Sequence, residues 1–352
     1  MIFSVATAEE LRDAVIQGRW GFLQSNEFQH VLQLLSSQKI VFWIKIAVFA
    51  GILLYIGYVL RRQPFDLSVV RNQWHQVSRP GWWVAGLLLL TPINWGLEAL
   101  KWQLLVRRVE PISFRAAYQG VLAGLSLGFV LPAQLGDTAG RVLSLRTGER
   151  GAAIGASLVS GGMQFYVALV FGTLAWGYHL QTVPERNTPA GRWLLALLSI
   201  LSLGGIFFGL TYRRLIRWSV QWPRLNRWST YWSVIGRYSN GDIGLALGAA
   251  TLRYLVFSLQ FYVAMRLLGV ILPGAAAAAG IGLVFLAKTI TPAFNLLSDL
   301  GVREAASLWV FAPTGTPASL LLTITLTLWL ANVLLPVVVG LLYVWRLKLA
   351  TS

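Results

Sequence analysis

Hydrophobic positions run through this chain in long blocks rather than in alternation. Six blocks, 41–60, 82–106, 151–178, 192–212, 244–268 and 318–344, each hold close to or more than the ~20 residues that a helix needs to cross a bilayer. Two shorter blocks, 116–131 and 275–290, lead straight into polar, interrupted stretches. The pattern predicts an all-α polytopic membrane protein with about six full transmembrane helices. Residues 1–40 carry Glu9, Glu10, Arg12, Asp13, Arg19 and Glu27, and their opening apolar run is too short for a signal sequence. They read as a peripheral arm, with the first block as an uncleaved anchor.

The two interrupted stretches share a design. One is Leu131-Pro132-Ala133-Gln134-Leu135-Gly136-Asp137-Thr138-Ala139-Gly140-Arg141; the other runs from Pro292 through Asp299 and Gly301 to Arg303 and Glu304. Each gives a proline, then an acid, then a base four residues on, so that Asp137 can pair with Arg141 and Asp299 with Arg303 on one helix face. Proline removes an N–H and glycine loosens the backbone, so Pro132, Gly136, Pro292 and Gly301 are expected to shape breaks. Broken backbone and charge at membrane depth persist only where protein or a water-filled cavity surrounds them. Two re-entrant broken-helix hairpins are therefore expected, over 115–148 and 275–312.

Taken in order, the blocks read span, span, hairpin, span, and then the same again. This divides the chain into a first membrane repeat, 41–180, and a second, 191–346. Three crossings per repeat set the second upside down relative to the first, which is the inverted-repeat arrangement of many transporters.

Composition agrees with a membrane protein: 56% of residues are hydrophobic and 12% charged, against about 25% charged in soluble domains. With no cysteine, disulfides and thiol chemistry are excluded. The net charge of +16 raises the question of nucleic acid, and its distribution answers it. Arg213, Arg214, Arg217, Arg224, Arg227 and Arg237 are interleaved with Trp218, Trp222, Trp228 and Trp232 between two spans. Residues 213–241 therefore read as a basic, tryptophan-rich interfacial loop on anionic lipid, and no nucleic-acid partner is expected. With both termini cytosolic, Arg107, Arg108, Arg115, Arg146, Arg150 and this cluster fall inside, while Arg61, Arg62, Arg71, Arg79, Arg186 and Arg192 fall outside. The excess lies inside, as basic loops should in an inner or plasma membrane. The first hairpin would then enter from the cytosolic side and the second from the outer side.

Candidate chemistry is polar and non-catalytic. Glu98 and Lys101 share a face of the second block and read equally as a structural pair or as part of a polar pathway. Lys288 stands late in an apolar block and needs a carboxylate, carbonyls or an anionic ligand. Arg141 and Arg303 carry donor forks suited to phosphate, and helix starts near Gly136 and Gly301 would add free N–H groups. The same charges could simply lock their own hairpins. Glu304 is an acid of less defined role. His30, His75 and His179 lack metal-ligand spacing, and neither a nucleotide-cradling loop nor a serine nucleophile motif is present. No metal, cofactor or enzymatic activity is expected.

Leu131-Pro132-x-x-x-Gly136-Asp137-x-x-Gly140-Arg141, Glu98-Ala99-Leu100-Lys101-Trp102 and Gly301-Val302-Arg303-Glu304 resemble, in this order, the lysylphosphatidylglycerol synthase transmembrane region, also called the flippase-like domain family. The likeness extends from about residue 41 to 344. It implies a membrane domain that moves a modified or anionic lipid between leaflets. The full synthases carry a soluble aminoacyl-transferase domain after the membrane part, whereas this sequence ends at Ser352, so aminoacyl transfer is not expected to carry over. The expected function is a lipid translocase or transporter-like module binding an anionic or polyprenyl-phosphate headgroup. Glu98, Lys101, Asp137, Arg141, Lys288, Asp299, Arg303 and Glu304 would form its polar pathway. The alternative is a non-catalytic membrane partner that docks a glycosyltransferase or lipid or cell-envelope biosynthesis enzyme through Arg213, Arg214, Arg217, Trp218 and Trp222.

Overall fold

A long apolar helix needs a defined start, and the first one gets it from backbone geometry. Arg79 adopts a left-handed conformation (φ 55°, ψ 57°) and Pro80 follows at the first helical position, where its missing N–H costs nothing. The computed structural model describes residues 68, 71–72, 76–130, 133–220, 229–291 and 296–346. The arm 1–40, the block 41–60, Pro132, Pro292 and Trp222 lie outside this set, as do the side chains of Arg217, Trp218 and Asp299.

Every regular element among the described residues is helical. In chain order they are α1 (Pro80–Val106), α2 (Phe114–Val130), α3 (Ala133–Leu143), α4 (Arg150–Thr182), α5 (Pro189–Val220), α6 (Ser229–Arg237), α7 (Asn240–Leu267), α8 (Gly274–Ile290), α9 (Leu296–Phe311), α10 (Ala318–Trp329) and α11 (Leu335–Arg346). Among the described residues, five stretches are long and apolar enough to cross a membrane: Pro80–Val106, Arg150–Thr182, Pro189–Ile216, Asn240–Leu267 and Ala318–Val344. The protein is an all-α polytopic integral membrane protein. The last span is interrupted by one turn of π-helix, Leu330–Leu334, before α11. Pro336 explains it: without an N–H, it cannot bond the carbonyl of Asn332, and the turn widens.

The axis of the fold is the pairing of α1 with α7. Along it, Trp83 meets Arg266, Thr91 meets Gln260, Glu98 meets Arg253, and Arg107 and Arg108 meet Asp242. Numbers rise on one helix as they fall on the other, so the two run antiparallel. The other helices repeat around this pair: α2 packs beside α3 and against α11, as α8 packs beside α9 and against α4. Since α1 and α7 occupy equivalent places and point opposite ways, the two halves are inverted with respect to each other.

The hairpins open to opposite ends of the bundle. Before α2 and after α3, Glu110 accepts hydrogen bonds from the backbone N–H of Arg146 (2.9 Å) and Thr147 (2.8 Å), tying both ends of that hairpin together. The same end holds Glu149, Arg237 and Arg108, through an Arg237–Glu149 ion pair of 2.7 Å and a bond from Arg237 to the Arg108 carbonyl. At the far end, the finish of α9 presents Trp309 to Arg186, whose guanidinium lies 3.8 Å from the ring centre.

Small residues allow the closest contacts. A Cβ on Gly140 would collide with the Gly124 backbone, and one on Gly136 with the Gly128 backbone, so α2 and α3 touch main chain to main chain. Gly155 and Gly340 likewise admit the Tyr231 and Leu122 carbonyls. Apolar side chains on α5 such as Trp193, Leu203 and Leu210 remain exposed, as a lipid-facing span requires.

Candidate functional site

Glu98 is the hub. It stands deep in α1, past Pro92, and is only 6% exposed. Lys101, one turn further, places Nζ 2.8 Å from Glu98 Oε2. Arg141 from α3 sets its Nη2 2.8 Å from Glu98 Oε1 and also 2.8 Å from Asp137 Oδ2, while its Nε donates to Asp137 Oδ1 at 3.0 Å. Arg253 of α7 completes the group, with Nε 3.2 Å from Glu98 Oε2 and Nη1 donating to Gln164 Oε1 at 3.1 Å. Two helices and one hairpin therefore meet on a single carboxylate, and α4 joins them through Gln164.

These charges line a cavity of about 220 Å³, bounded also by Trp95, Gln164, Gly161 and Asn332. Asn332 is held in place by Asn94, whose side-chain amide donates to it at 2.7 Å, so the π turn of the last span reaches the site. Lys101 is 1% exposed and Arg141 4%; Lys101 is thus enclosed and does not reach toward an interface. Asp137 and Arg253 are about 30% open at their side chains.

The charge count is decisive for what such a cavity prefers. Lys101, Arg141 and Arg253 face Glu98 and Asp137, leaving one positive charge in excess. Arg141 Nη1 and Trp95 Nε1 are buried with no hydrogen-bond partner among the described residues, and both residues line the cavity. Buried donors without partners are uncommon in native folds and call for an acceptor. An anion with several oxygens satisfies both the charge and the donors.

Of the residues singled out from sequence, Glu98, Lys101, Asp137 and Arg141 are brought together here. Lys288, Arg303 and Glu304 are not among the described residues lining this cavity. Arg303, 3% exposed, lies in the second hairpin with its guanidinium 5.3 Å from the Phe257 ring centre. The two hairpin glycines also differ: Gly136 is pressed against Gly128, whereas nothing lies within 4 Å of a Cβ at Gly301. Where described, the basic stretch 213–241 is largely helical, since α5 runs on to Val220 and α6 covers Ser229–Arg237. Arg213 is committed internally, donating to the Tyr238 carbonyl at 3.0 Å and to the Tyr212 hydroxyl at 3.1 Å. Arg253, Gln164, Asn94 and Asn332 belong to the site although the sequence did not mark them.

A second charge cluster fixes the α1–α7 crossing at one end. Asp242 is 1% exposed and pairs with Arg107 and with Arg108 (2.6 Å). It also closes a capping box with Ser239, accepting from the Ser239 N–H at 2.8 Å while its own N–H donates to Ser239 Oγ at 3.0 Å. With both carboxylate oxygens engaged, Asp242 is a clamp between helices.

The family described as the lysylphosphatidylglycerol synthase TM region matches residues 42–340 of the chain. Neither a curated protein nor a solved structure matches it.

Proposed function

The chain belongs to the lysylphosphatidylglycerol synthase transmembrane family, and from that premise we propose that it moves a phosphate-bearing lipid between leaflets. The headgroup phosphate of an anionic or polyprenyl-phosphate lipid sits in the Glu98 cavity against Arg141 and Arg253. The observation that carries this reading is the pair of unspent buried donors, Arg141 Nη1 and Trp95 Nε1, at a cavity with one positive charge in excess. A guanidinium fork matches phosphate oxygens in geometry and charge. Glu98 and Asp137 hold the arginines in place and keep the site from trapping its anion too tightly.

The volume favours a small headgroup. About 220 Å³ lies below the ~300–1,000 Å³ of pockets for drug-sized ligands, so phosphate with a few further atoms fills it while acyl chains stay in the membrane. In this reading the Arg107 end, with its basic loops, faces the cytosol across an inner or plasma membrane. The test is transfer of a fluorescent phosphatidylglycerol across vesicles holding the full-length protein. Arg141→Ala is expected to slow it at least tenfold; transfer at the wild-type rate would remove the proposal. Docking of a biosynthetic enzyme on the basic segment predicts the reverse, with Arg141→Ala silent and loss of Arg214 and Arg217 together disabling the protein.

A further inference from the structure

The two halves can be matched residue by residue. Asp137 and Asp299, Arg141 and Arg303, and Pro111 and Pro273 are each separated by 162 positions. Applied to the crossing helices, the same displacement carries Thr91 to Arg253, Trp95 to Phe257 and Glu98 to Gln260. Two contacts then become images of each other. The ion pair between Glu98 and Arg253 (3.2 Å) corresponds to the hydrogen bond from Gln260 Nε2 to Thr91 Oγ1 (3.0 Å). The pseudo-twofold axis relating them passes between Asn94 and Val256. Thr91 and Glu98 are seven positions apart, so the two polar layers lie about 10 Å apart along α1, on either side of that axis.

The layers differ in state. The Glu98 layer opens on a cavity, whereas Gln260, Thr91 and Arg303 are 0%, 1% and 3% exposed. Arg303 packs over Phe257, one turn before Gln260 on α7. Gln260 Oε1 is enclosed without a hydrogen-bond partner among the described residues. A buried acceptor left unsatisfied raises the free energy of a closed layer. In a protein built of inverted repeats, exchanging the conformations of the halves closes one layer as it opens the other.

Resting on the translocase reading above, we infer that Thr91, Gln260 and Arg303 form a second seat for the same headgroup phosphate, shut in this structure. It opens when the two repeats exchange conformations, with Arg303 taking the part that Arg141 plays at the first seat. Gln260 replaces Glu98 there, so that seat presents an amide where the first presents a carboxylate.

The experiment uses full-length protein in vesicles containing fluorescent phosphatidylglycerol. The chain has no native cysteine, so Thr91→Cys reports on the second layer with a membrane-permeant methanethiosulfonate. Thr325→Cys, at a position 0% exposed in α10 and bonded to the Leu321 and Leu322 carbonyls, controls for general loosening. Thr91→Cys is expected to react at least tenfold faster than Thr325→Cys. Gln260→Leu is expected to retain phosphatidylglycerol on purification within twofold of wild type, yet to transfer it at least tenfold more slowly. Equal, slow reaction of both cysteines, or wild-type transfer by Gln260→Leu, overturns the second seat. Failure of the underlying reading looks different: Arg141→Gln then retains as much phosphatidylglycerol as wild type, whatever Thr91→Cys does.

Discussion

Replacing Glu98 by glutamine removes one negative charge from a place where three cations converge. Lys101 and Arg141 each lie 2.8 Å from it and Arg253 lies 3.2 Å away. The excess at the site rises from one positive charge to two, and Lys101, 1% exposed, loses its ion-pair partner without gaining water. Breaking a buried pair by removing one member costs about 3–5 kcal/mol, because the other charge stays buried and uncompensated. Glutamine keeps the shape and one oxygen, which places the loss toward the lower figure. At about 2–4 °C per kcal/mol, a loss near 3 kcal/mol lowers the unfolding midpoint by about 6–12 °C. Tryptophan fluorescence during heating in detergent is a suitable assay, since Trp95 lines the cavity and Trp102 packs under Arg141. Adding Lys101→Met returns the excess to one and is expected to recover at least half of the loss. A midpoint for Glu98→Gln within 1 °C of wild type, or a double variant that falls by the sum of the single losses, refutes the reasoning.

The hairpin glycines give a contrasting pair. Gly140→Val drives side-chain atoms into the Gly124 backbone and is expected to abolish monodisperse protein on size-exclusion chromatography, while Gly301→Ala, with open space around it, is expected to be neutral or to stabilise α9 by about 0.5–1 kcal/mol. Asp242→Asn loosens Arg107 and Arg108 from α7 and weakens the capping box; since both arginines are partly open to water, a loss of about 1–3 kcal/mol is expected in the same thermal assay. Arg213→Ala removes one of two donors from the Tyr238 carbonyl, which the Tyr212 hydroxyl keeps bonded, and is expected to cost about 0.5–1.5 kcal/mol, whereas Arg214→Ala is expected to change stability by less than about 0.5 kcal/mol.

What could be read from the chain was whatever is local. Apolar blocks located five spans among the described residues, and the i,i+3 spacing of Glu98 with Lys101 and the i,i+4 spacing of Asp137 with Arg141 placed two pairs on helix faces. That the two pairs share one carboxylate is a tertiary fact, produced by the Arg141 side chain reaching from α3 to Glu98 on α1. Arg253 escaped notice for the same reason: it has no acid three or four residues away, and its counter-charge comes from the antiparallel helix. Asn332 was similarly inconspicuous in an apolar run, although Pro336, four residues on, announces a freed carbonyl at that point. The glycine pairs Gly124 with Gly128 and Gly136 with Gly140, both at four-residue spacing, make a close helix contact that the sequence did not mark, since Gly136 reads there as a break, whereas it lies inside α3. The second hairpin lacks them, having Leu286, Ile290, Ser298 and Val302 at the matching places. The acid-to-base echo therefore preserves charge between the halves without preserving how tightly each hairpin packs.

The most direct test is the lipid that stays with the protein. Full-length wild type and Arg141→Gln, purified identically from vesicles of mixed phosphatidylglycerol and phosphatidylcholine, are compared by native mass spectrometry. Wild type is expected to hold phosphatidylglycerol in preference to phosphatidylcholine, and Arg141→Gln to lose at least tenfold of that preference while remaining folded. Equal retention by both proteins would contradict a headgroup seat at Arg141.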